Sequence, residues 1–295
     1  MARRAIIGAC VAALAGVFWL GCQSSTEPGP GDEEKVRNLI DNEYKAYFDD
    51  SSANGGRKPE GGDFLSELVL SMDGKATLPI AWYRALTFAK RTYWIKIEAP
   101  FTTAEVIVED DLQGLMYIDR SDNKIFDPGS KPFAVTRKRY ATFERETTDH
   151  PWELTAISPA VYSVQGAGRQ TVTITSVRLV TENGYDRTFT DMAEPIPLTE
   201  LPQVKYGEKI TVTVEAENTS GAGWAPKTFC FLHHDWHRWN MNREGSRTFT
   251  GEYSITAEPG VRHGGVSAID AGTLQNETKD DYNADGWSLP FEVSE

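Results

Sequence analysis

The chain has 295 residues, 40% of them hydrophobic, and a formal net charge of -13 at pH 7. This length predicts about two domains at roughly 150 residues each, with enough apolar residues for a core in both. An acidic protein repels nucleic acid and anionic lipid head groups, so the charge argues against nucleic-acid binding and favours neutral, cationic or metal-ion partners.

The amino-terminal segment has the pattern of an export signal. Arg3 and Arg4 form a positive start, and residues 5–20 form an apolar run of sixteen residues. A run of this length is shorter than the ~20 residues that a membrane-spanning helix needs, and a small residue follows it. The sequence therefore predicts a signal peptide over residues 1–21 that is removed on export.

The end of this signal, Leu20-Gly21-Cys22, resembles the lipobox of bacterial lipoproteins. The resemblance implies that Cys22 is acylated on sulfur and becomes the lipid-modified amino terminus. Removal of residues 1–21 takes away two arginines and no acidic residue, so the net charge moves from -13 to -15. Gln23, rather than an aspartate, follows the cysteine, which in a Gram-negative cell points to the outer membrane. We therefore expect an exported protein that is held in a membrane of the cell envelope by its lipid.

Cysteine usage leaves one thiol without a partner. Cys10 is removed with the signal and Cys22 carries the lipid, so Cys230 is alone and no internal disulfide is expected. An unpaired thiol of an exported protein most often packs as a small core hydrophobe. We expect Cys230 to be buried.

Residues 22–32 contain the lipid cysteine and a polar stretch with two prolines and two glycines, which predicts a flexible tether. Apolar residues at helical spacing then predict a helix over residues 33–50, with Asp32 placed to cap its first turn. This apolar stripe consists of Val36, Leu39, Ile40, Tyr44, Tyr47 and Phe48. Two further helical segments are predicted over residues 64–72 and 80–91.

From Thr102 onward the apolar residues alternate, which predicts strands separated by short polar turns. The predicted strands are residues 103–109, 114–120, 132–146 and 152–164. Helices followed by an antiparallel sheet predict an α+β domain over residues 33–165. This order, together with Tyr140, Phe143 and the phrase WELTAISP at residues 152–159, resembles the NTF2-like, cystatin-type cone folds. The resemblance implies a curved sheet with the helices on one face.

Some members of that superfamily are isomerases or dehydratases with Asp, His or Tyr inside the cone, while many are accessory domains without catalytic activity. The candidates for a pocket lining in this chain are Trp82, Tyr83, Trp94, Tyr117 and Tyr140, with Asp119 and Asp127 nearby in sequence. The pattern selects no acid-base pair from them, and an aromatic core with surface carboxylates is the alternative interpretation.

Gly166-Ala-Gly168 interrupts the alternation and predicts a domain boundary. Seven short alternating segments follow it: residues 170–180, 186–192, 209–218, 228–234, 247–256, 261–268 and 287–293. This number of strands predicts a β-sandwich over residues 169–295. The strand count and the phrase YGEKITVTV at residues 206–214 resemble immunoglobulin-like or fibronectin-type sandwiches, although the antibody-type Cys-Trp-Cys signature is absent.

Residues 229–239 hold three of the five histidines. If the strand continued past Leu232, His233, Asp235 and His237 would share one face and could ligate zinc or iron, which would support Lewis-acid chemistry. Against this, side chains at i and i+2 on a flat strand lie about 7 Å apart, too far for three of them to reach one ion without a bend.

The same stretch has two other interpretations. It can be a ligand platform, on which tryptophans stack against sugars or cations and polar side chains supply hydrogen bonds. The platform residues would be Trp224, His233, His234, Asp235, Trp236, His237, Arg238 and Trp239. The simplest alternative is an exposed strand end with polar and aromatic side chains.

Residues 281–292 match the calcium-loop pattern D-x-N-x-D-G-x5-E. The pattern makes Asp281, Asn283, Asp285 and Glu292 candidate calcium ligands, with Gly286 permitting the sharp turn. No helical stripe precedes the match and an alternating segment follows it, so we expect either a calcium-binding Asx-rich loop or a metal-free polar turn before the last strand.

No nucleophile elbow, P-loop, zinc-protease, dinucleotide or paired-cysteine motif occurs, and His150 and His263 are lone turn histidines. We therefore expect a non-enzymatic, lipid-anchored envelope protein that binds a protein or glycan ligand. The alternatives are a metal-dependent enzyme that uses the histidine cluster and a calcium-stabilised carbohydrate-binding or adhesion module.

Overall fold

The computed structural model describes residues 29, 31–50, 81–121, 126–166, 168–221, 227–234, 237–275 and 282–295. The predicted signal peptide, Cys22, most of the tether and the predicted helix over residues 64–72 lie outside these residues. So do four of the predicted site residues, Trp224, Asp235, Trp236 and Asp281.

Two short helices come first in the described chain, α1 over Asp32–Asp41 and α2 over Lys45–Phe48. The predicted single helix over residues 33–50 is therefore wrong in its continuity. The side chain of Asn42 donates to the carbonyl of Asn38 (2.8 Å), and a side chain that bonds the local backbone competes with helix continuation. Both helices bury their apolar residues as the stripe predicted.

Asp32 is the first residue of α1 and does not cap it; the cap position is Gly31. The carboxylate of Asp32 instead binds Arg145, which lies just after the third strand, with 2.8 Å between Oδ2 and Nη2. The acidic residue therefore fastens the helix to the sheet.

The rest of the described chain consists mainly of strands. The strands are β1 Ala81–Glu98, β2 Thr103–Asp119, β3 Gly129–Glu144, β4 Glu153–Ile157, β5 Ala160–Val164, β6 Val172–Thr181, β7 Asp186–Phe189, β8 Ile196–Pro197, β9 Gln203–Lys205, β10 Lys209–Asn218, β11 Thr228–His234, β12 His237–Asn240, β13 Asn242–Arg243, β14 Thr248–Ser254, β15 Gly260–Asp270 and β16 Ala284–Ser294. A 3-10 turn at Leu198–Glu200 and a third helix, α3 at Ala271–Gln275, complete the described elements.

The strands form two antiparallel sheets of eleven and five strands. The larger sheet follows the order β1-β2-β3-β5-β16-β15-β11-β12, with β4, β8 and β9 paired beside this path. The smaller sheet follows the order β13-β14-β10-β6-β7. The short β9 runs parallel to β16.

The protein is mostly β, and the described chain contains no clear NTF2-like α+β domain. Its three helices are short, and β3 and β5 continue directly into the sheet that contains β16, β15 and β11. Strands from both predicted domains, residues 33–165 and 169–295, therefore belong to one sheet. The cone interpretation fails because it assigned the first strands a sheet of their own.

Two local predictions in the first half are also wrong. The segment predicted as a helix over residues 80–91 begins β1 instead, because it pairs with β2 from Ala81 opposite Asp119 onward. The turn predicted between the strands at residues 103–109 and 114–120 is the middle of β2. Asp110 is buried there, and Arg91 and Arg137 bind it, so the ion pairs offset the cost of burying a carboxylate.

One face of the large sheet packs on the small sheet. Leu232, Val266 and Trp287 share a hydrophobic core with residues of β6, β10 and β14, and Trp287 lies 5.4 Å from Phe189 of β7 between ring centroids. Cys230 is buried in this core, as predicted, and burial raises the pKa of its thiol well above the usual range.

The large sheet curls, so that its opposite face is enclosed between its first and last strands. β1 and β12 are at the two ends of the strand order, yet Arg238 of β12 donates to the carbonyl of Trp82 in β1 (2.6 Å). The Trp82 ring also meets the ring of Phe231 in β11 at 5.1 Å. The inner face of the curl therefore encloses a second core, which contains Phe133, Tyr162 and Ile269.

Candidate functional site

The histidine stretch forms a hairpin and not one continuous strand. β11 ends at His234 and β12 begins at His237, with His234 opposite His237 and His233 opposite Arg238. Residues directly opposite each other share a face, so His233 and His237 lie on opposite faces of the sheet. The prediction that they share one face is therefore wrong, because the chain turns between them.

His233 faces the inner core and is only 2% exposed. Its ring lies 6.4 Å from the ring of Trp82, over which the guanidinium of Arg238 stacks at 3.8 Å. Burial, followed by the positive charges of Arg84 and Arg238, lowers the pKa of His233 well below its usual value. His233 is therefore a neutral core side chain at pH 7, and Arg238 holds β1 against β12.

The other face of the hairpin carries a stack of aromatic rings. Trp239 lies nearly parallel to Tyr253, with ring centroids 5.7 Å apart and an 11° interplanar angle, and His237 stacks on Trp239 at 5.6 Å. His234 stacks on the Tyr253 ring as well, at 5.1 Å. One face of the half-buried Trp239 ring therefore packs on Tyr253. Of the predicted platform residues that the structure describes, only His237 is exposed.

Asn283, a predicted calcium ligand, binds the backbone that precedes β6. Its side-chain oxygen accepts from the amides of Thr171 (3.0 Å) and Val172 (3.4 Å). Its amide nitrogen donates to the carbonyl of Arg169 (2.9 Å) and to the hydroxyl of Thr171 (2.7 Å). The side chain therefore fixes the segment that joins the two predicted domains.

Asp285 is also used internally. Oδ2 accepts from the amide of Ile174 in β6 (2.7 Å), and Oδ1 accepts from the amide of Gly286 (3.0 Å). Burial raises the pKa of Asp285 to about 7, although these hydrogen bonds oppose the shift. Asp285 therefore links the large sheet to the small one.

Glu292 lies at the far end of β16, where it accepts from Tyr47 (2.7 Å) and Gln203 (2.9 Å). Glu292 lies seven positions after Asp285 on the same extended strand, which places their backbones about 23 Å apart. The predicted calcium site that includes both of them is therefore not formed, because Asp285 and Glu292 lie on one strand, Ala284–Ser294, and not in a loop. In the part of the chain that the structure covers, no group of three or more His, Cys, Asp and Glu side chains could hold a metal ion.

The predicted pocket lining is divided between the two faces of the first three strands. Trp82 faces the inner core, whereas Tyr83 and Tyr117 stack on the outer face with centroids 4.8 Å apart. Asp119 accepts from the amides of Ser121 (2.8 Å) and Asp127 (3.2 Å), so it orders the chain after β2. The Asp119 carboxylate is therefore used to bind nearby backbone amides.

The outer face of β1, β2 and β3 carries an aromatic row, which we define as Trp94, Ile107 and Tyr140. Trp94 pairs with Ile107, and Ile107 pairs with Tyr140, so the three side chains stand side by side across the strands. Trp94 is 48% exposed and its two neighbours are half-buried. Trp94 and Tyr140 were predicted as candidates for a pocket lining, whereas the structure places them on the outer face of the sheet.

A buried polar network on the inner face was missed. Asp50 accepts from Tyr162 (2.6 Å) and from the hydroxyl of Ser288, and its carbonyl accepts from Arg137 (3.1 Å). Arg139 lies beside it and donates to Ser288 (3.4 Å). The only sign in the sequence is Arg137 and Arg139 at alternate positions of a strand, both on the inner side.

The positive charges of Arg137 and Arg139 stabilise the ionised carboxylate of Asp50 in this network. Burial alone would raise the pKa of Asp50, but His263 when protonated and the two arginines lower it well below its usual range. Burial also lowers the pKa of Arg139 to about 10 and that of His263 to about 4. At pH 7 Asp50 is therefore ionised between cationic arginines while His263 is neutral, an arrangement that fastens the chain after α2 to β3, β5 and β16.

No known protein-family model matches the chain, and a search of curated proteins finds no significant relative. Among the residues that the structure describes, no helix has the length and hydrophobicity required to cross a membrane.

Proposed function

We propose that the chain is a non-enzymatic, lipid-anchored protein of the bacterial cell envelope whose β body presents a ligand-binding surface. The observation that carries the proposal is the aromatic row. Isolated apolar residues are common on protein surfaces, whereas adjacent ones across three strands form a patch of the kind that binds a partner.

The internal use of the reactive side chains supports binding over catalysis. His233 is a neutral core residue, Asn283 and Asp285 bind backbone amides, and Asp50 is ionised between two arginines. Each of these groups has its charge state or its hydrogen bonds set by the fold. They hold sheets and segments together.

Within this proposal, residues 169–295 form an immunoglobulin-like sandwich. Support comes from the pairing: β13-β14-β10-β6-β7 forms one sheet, β12-β11-β15-β16 lies in the other, and the two share a core. The parallel pairing of β9 with β16 places an early strand beside the last one, as happens when a first strand divides between two sheets.

The anchor is tested by metabolic labelling of a Gram-negative host with an alkyne fatty acid. We expect label on the wild-type protein, loss of label in Cys22→Ala, and full label in Cys230→Ala, because Cys230 is buried and is not the modified cysteine. A wild-type protein that takes no label, or a label that persists in Cys22→Ala, contradicts the anchor.

A further inference from the structure

We infer that the aromatic row is a binding site for a neutral polysaccharide chain. The inference deepens the proposed function and depends on it only in the claim that this surface binds a ligand. It concerns the side of β1, β2 and β3 that turns away from α1 and α2.

The geometry of the row suits a chain of sugar rings. Neighbouring strands lie about 4.8 Å apart, so the backbones that carry Trp94 and Tyr140 are about 10 Å apart, with Ile107 between them. The half-exposed Trp94 presents an indole next to the apolar surface of Ile107. The exposed face of an aromatic ring can stack against the C–H face of a pyranose ring.

The rows on either side of the aromatic row supply hydrogen-bonding groups without net charge. One flanking row consists of Thr92, Glu109 and Lys138, and the other consists of Lys96, Glu105 and Thr142. Lys138 already binds Glu109 at 2.9 Å, and Lys96 binds Glu98 of the next row at 2.9 Å. Because both lysines are paired with carboxylates, a polyanionic chain gains little from them, whereas a neutral polyol finds both donors and acceptors.

The packing beneath the aromatic row holds it in place before any ligand binds. On the other side of the same strands, Ile95, Val106 and Phe143 pack in the main hydrophobic core. The pairing of β2 with β3 runs without a register shift, and the one irregularity between β1 and β2 is at Leu86 and Phe88, several residues away. A rigid aromatic surface loses little conformational entropy when a ligand binds.

The test measures binding of the detergent-purified full-length protein to neutral polysaccharides, soluble glucan, mannan and xylan, and to polygalacturonate as a polyanion. Isothermal titration gives Kd, and quenching of tryptophan fluorescence reports stacking. We expect a neutral polysaccharide to bind, and Trp94→Ala to weaken its Kd about tenfold or more, the loss typical of a central aromatic anchor.

Two variants separate the site from other effects. Trp94→Tyr keeps an aromatic face and should retain most of the affinity. Tyr206→Ala removes another exposed aromatic, 68% exposed and located between β9 and β10, and should leave Kd unchanged. The melting temperature of Trp94→Ala should remain near that of the wild type, because the side chain is half-exposed.

Three results would overturn the inference. The first is no binding to any neutral polysaccharide of the panel, and the second is tighter binding of the polyanion than of the neutral polysaccharides. The third is a concentration-dependent dimer that Trp94→Ala converts to a monomer, because this would identify a second copy of the chain as the occupant. If fatty-acid labelling at Cys22 succeeds while glycan binding fails, the envelope anchor stands and only the ligand class is wrong. If glycan binding depends on Trp94 while labelling fails, the surface stands without the anchor.

Discussion

At the scale of single residues, Asp285 shows how one buried carboxyl makes stability depend on pH. Its pKa in the folded protein is about 7, raised by burial from an ordinary value of 3.8. Between these two values the folded state keeps a proton that the unfolded state has released. The contribution of Asp285 to stability is therefore greatest below pH 4 and falls as the pH rises to 7.

We predict that Asp285→Asn removes this part of the pH dependence. The amide oxygen can still accept from Ile174, but the residue no longer titrates. The wild-type free energy of unfolding should lose up to about 4 kcal/mol between pH 4 and pH 8 relative to the variant, the equivalent of the pKa shift. Urea unfolding at a series of pH values measures the difference.

The control for this experiment is Asp191→Asn, which neutralises an exposed aspartate in the turn after β7. We expect its pH profile to follow that of the wild type. If Asp285→Asn also follows the wild type, Asp285 is not the titrating group.

At the scale of elements, the attachment of α1 depends on one buried ion pair. Asp32 and Arg145 have side chains that are 1% and 2% exposed. Arg145 also donates to the carbonyl of Phe101 (2.9 Å) and stacks on Trp152 at 4.1 Å. Burial opposes the ionisation of Asp32, but hydrogen bonds from Lys35 and Arg145 outweigh it and lower the pKa of Asp32.

We predict that Arg145→Met destabilises the protein by about 3 kcal/mol, because it leaves a buried carboxylate with Lys35 as its remaining cationic partner. Lys96→Met is the matched control, since its pair with Glu98 is exposed to solvent and should contribute little to stability. Urea unfolding at pH 7 measures both. Equal losses in the two variants would contradict a special role for the buried pair.

How well a strand could be predicted depended on whether its alternation was uninterrupted in the sequence. β10 was predicted to the residue because its burial alternates along its length. β1 was missed because the bulge between Leu86 and Phe88 changes which side faces inward: Trp82 faces the core before it, and Tyr93 and Ile95 do so after it. The same change of side placed Trp94 outside, which no pattern of single residues could reveal.

The residue spacing behind the calcium and histidine predictions does not reveal the partners of these side chains, for a related reason. A calcium pattern specifies side chains at fixed spacing, but Asn283 and Asp285 meet the amides of Thr171 and Ile174 more than a hundred residues earlier in the chain. Likewise, the face of the sheet on which His233 lies relative to His237 depends on where the chain reverses between β11 and β12. The alternation of apolar and polar residues does not reveal that position. Both outcomes are decided by tertiary partners.

At the scale of the whole molecule, the join between β5 and β16 unites the two halves of the chain. Gly286 lies opposite Tyr162 in this join, and a Cβ added to Gly286 would lie 3.0 Å from the Cβ of Tyr162. The residue that the calcium pattern assigned to a sharp turn is therefore needed for close contact between strands. Because the large sheet passes through this join, we expect the halves to unfold together.

We predict that Gly286→Val lowers the stability of the whole protein, by about 1–3 kcal/mol as is usual for overpacking, and that the unfolding transition stays single. Gly221→Ala is the control, because a Cβ at that position meets nothing within 4 Å. Differential scanning calorimetry should give a calorimetric enthalpy close to the van't Hoff enthalpy for all three proteins. Two transitions in the wild type, with only one of them shifted by Gly286→Val, would instead indicate that the halves fold independently and that the shared sheet does not couple them.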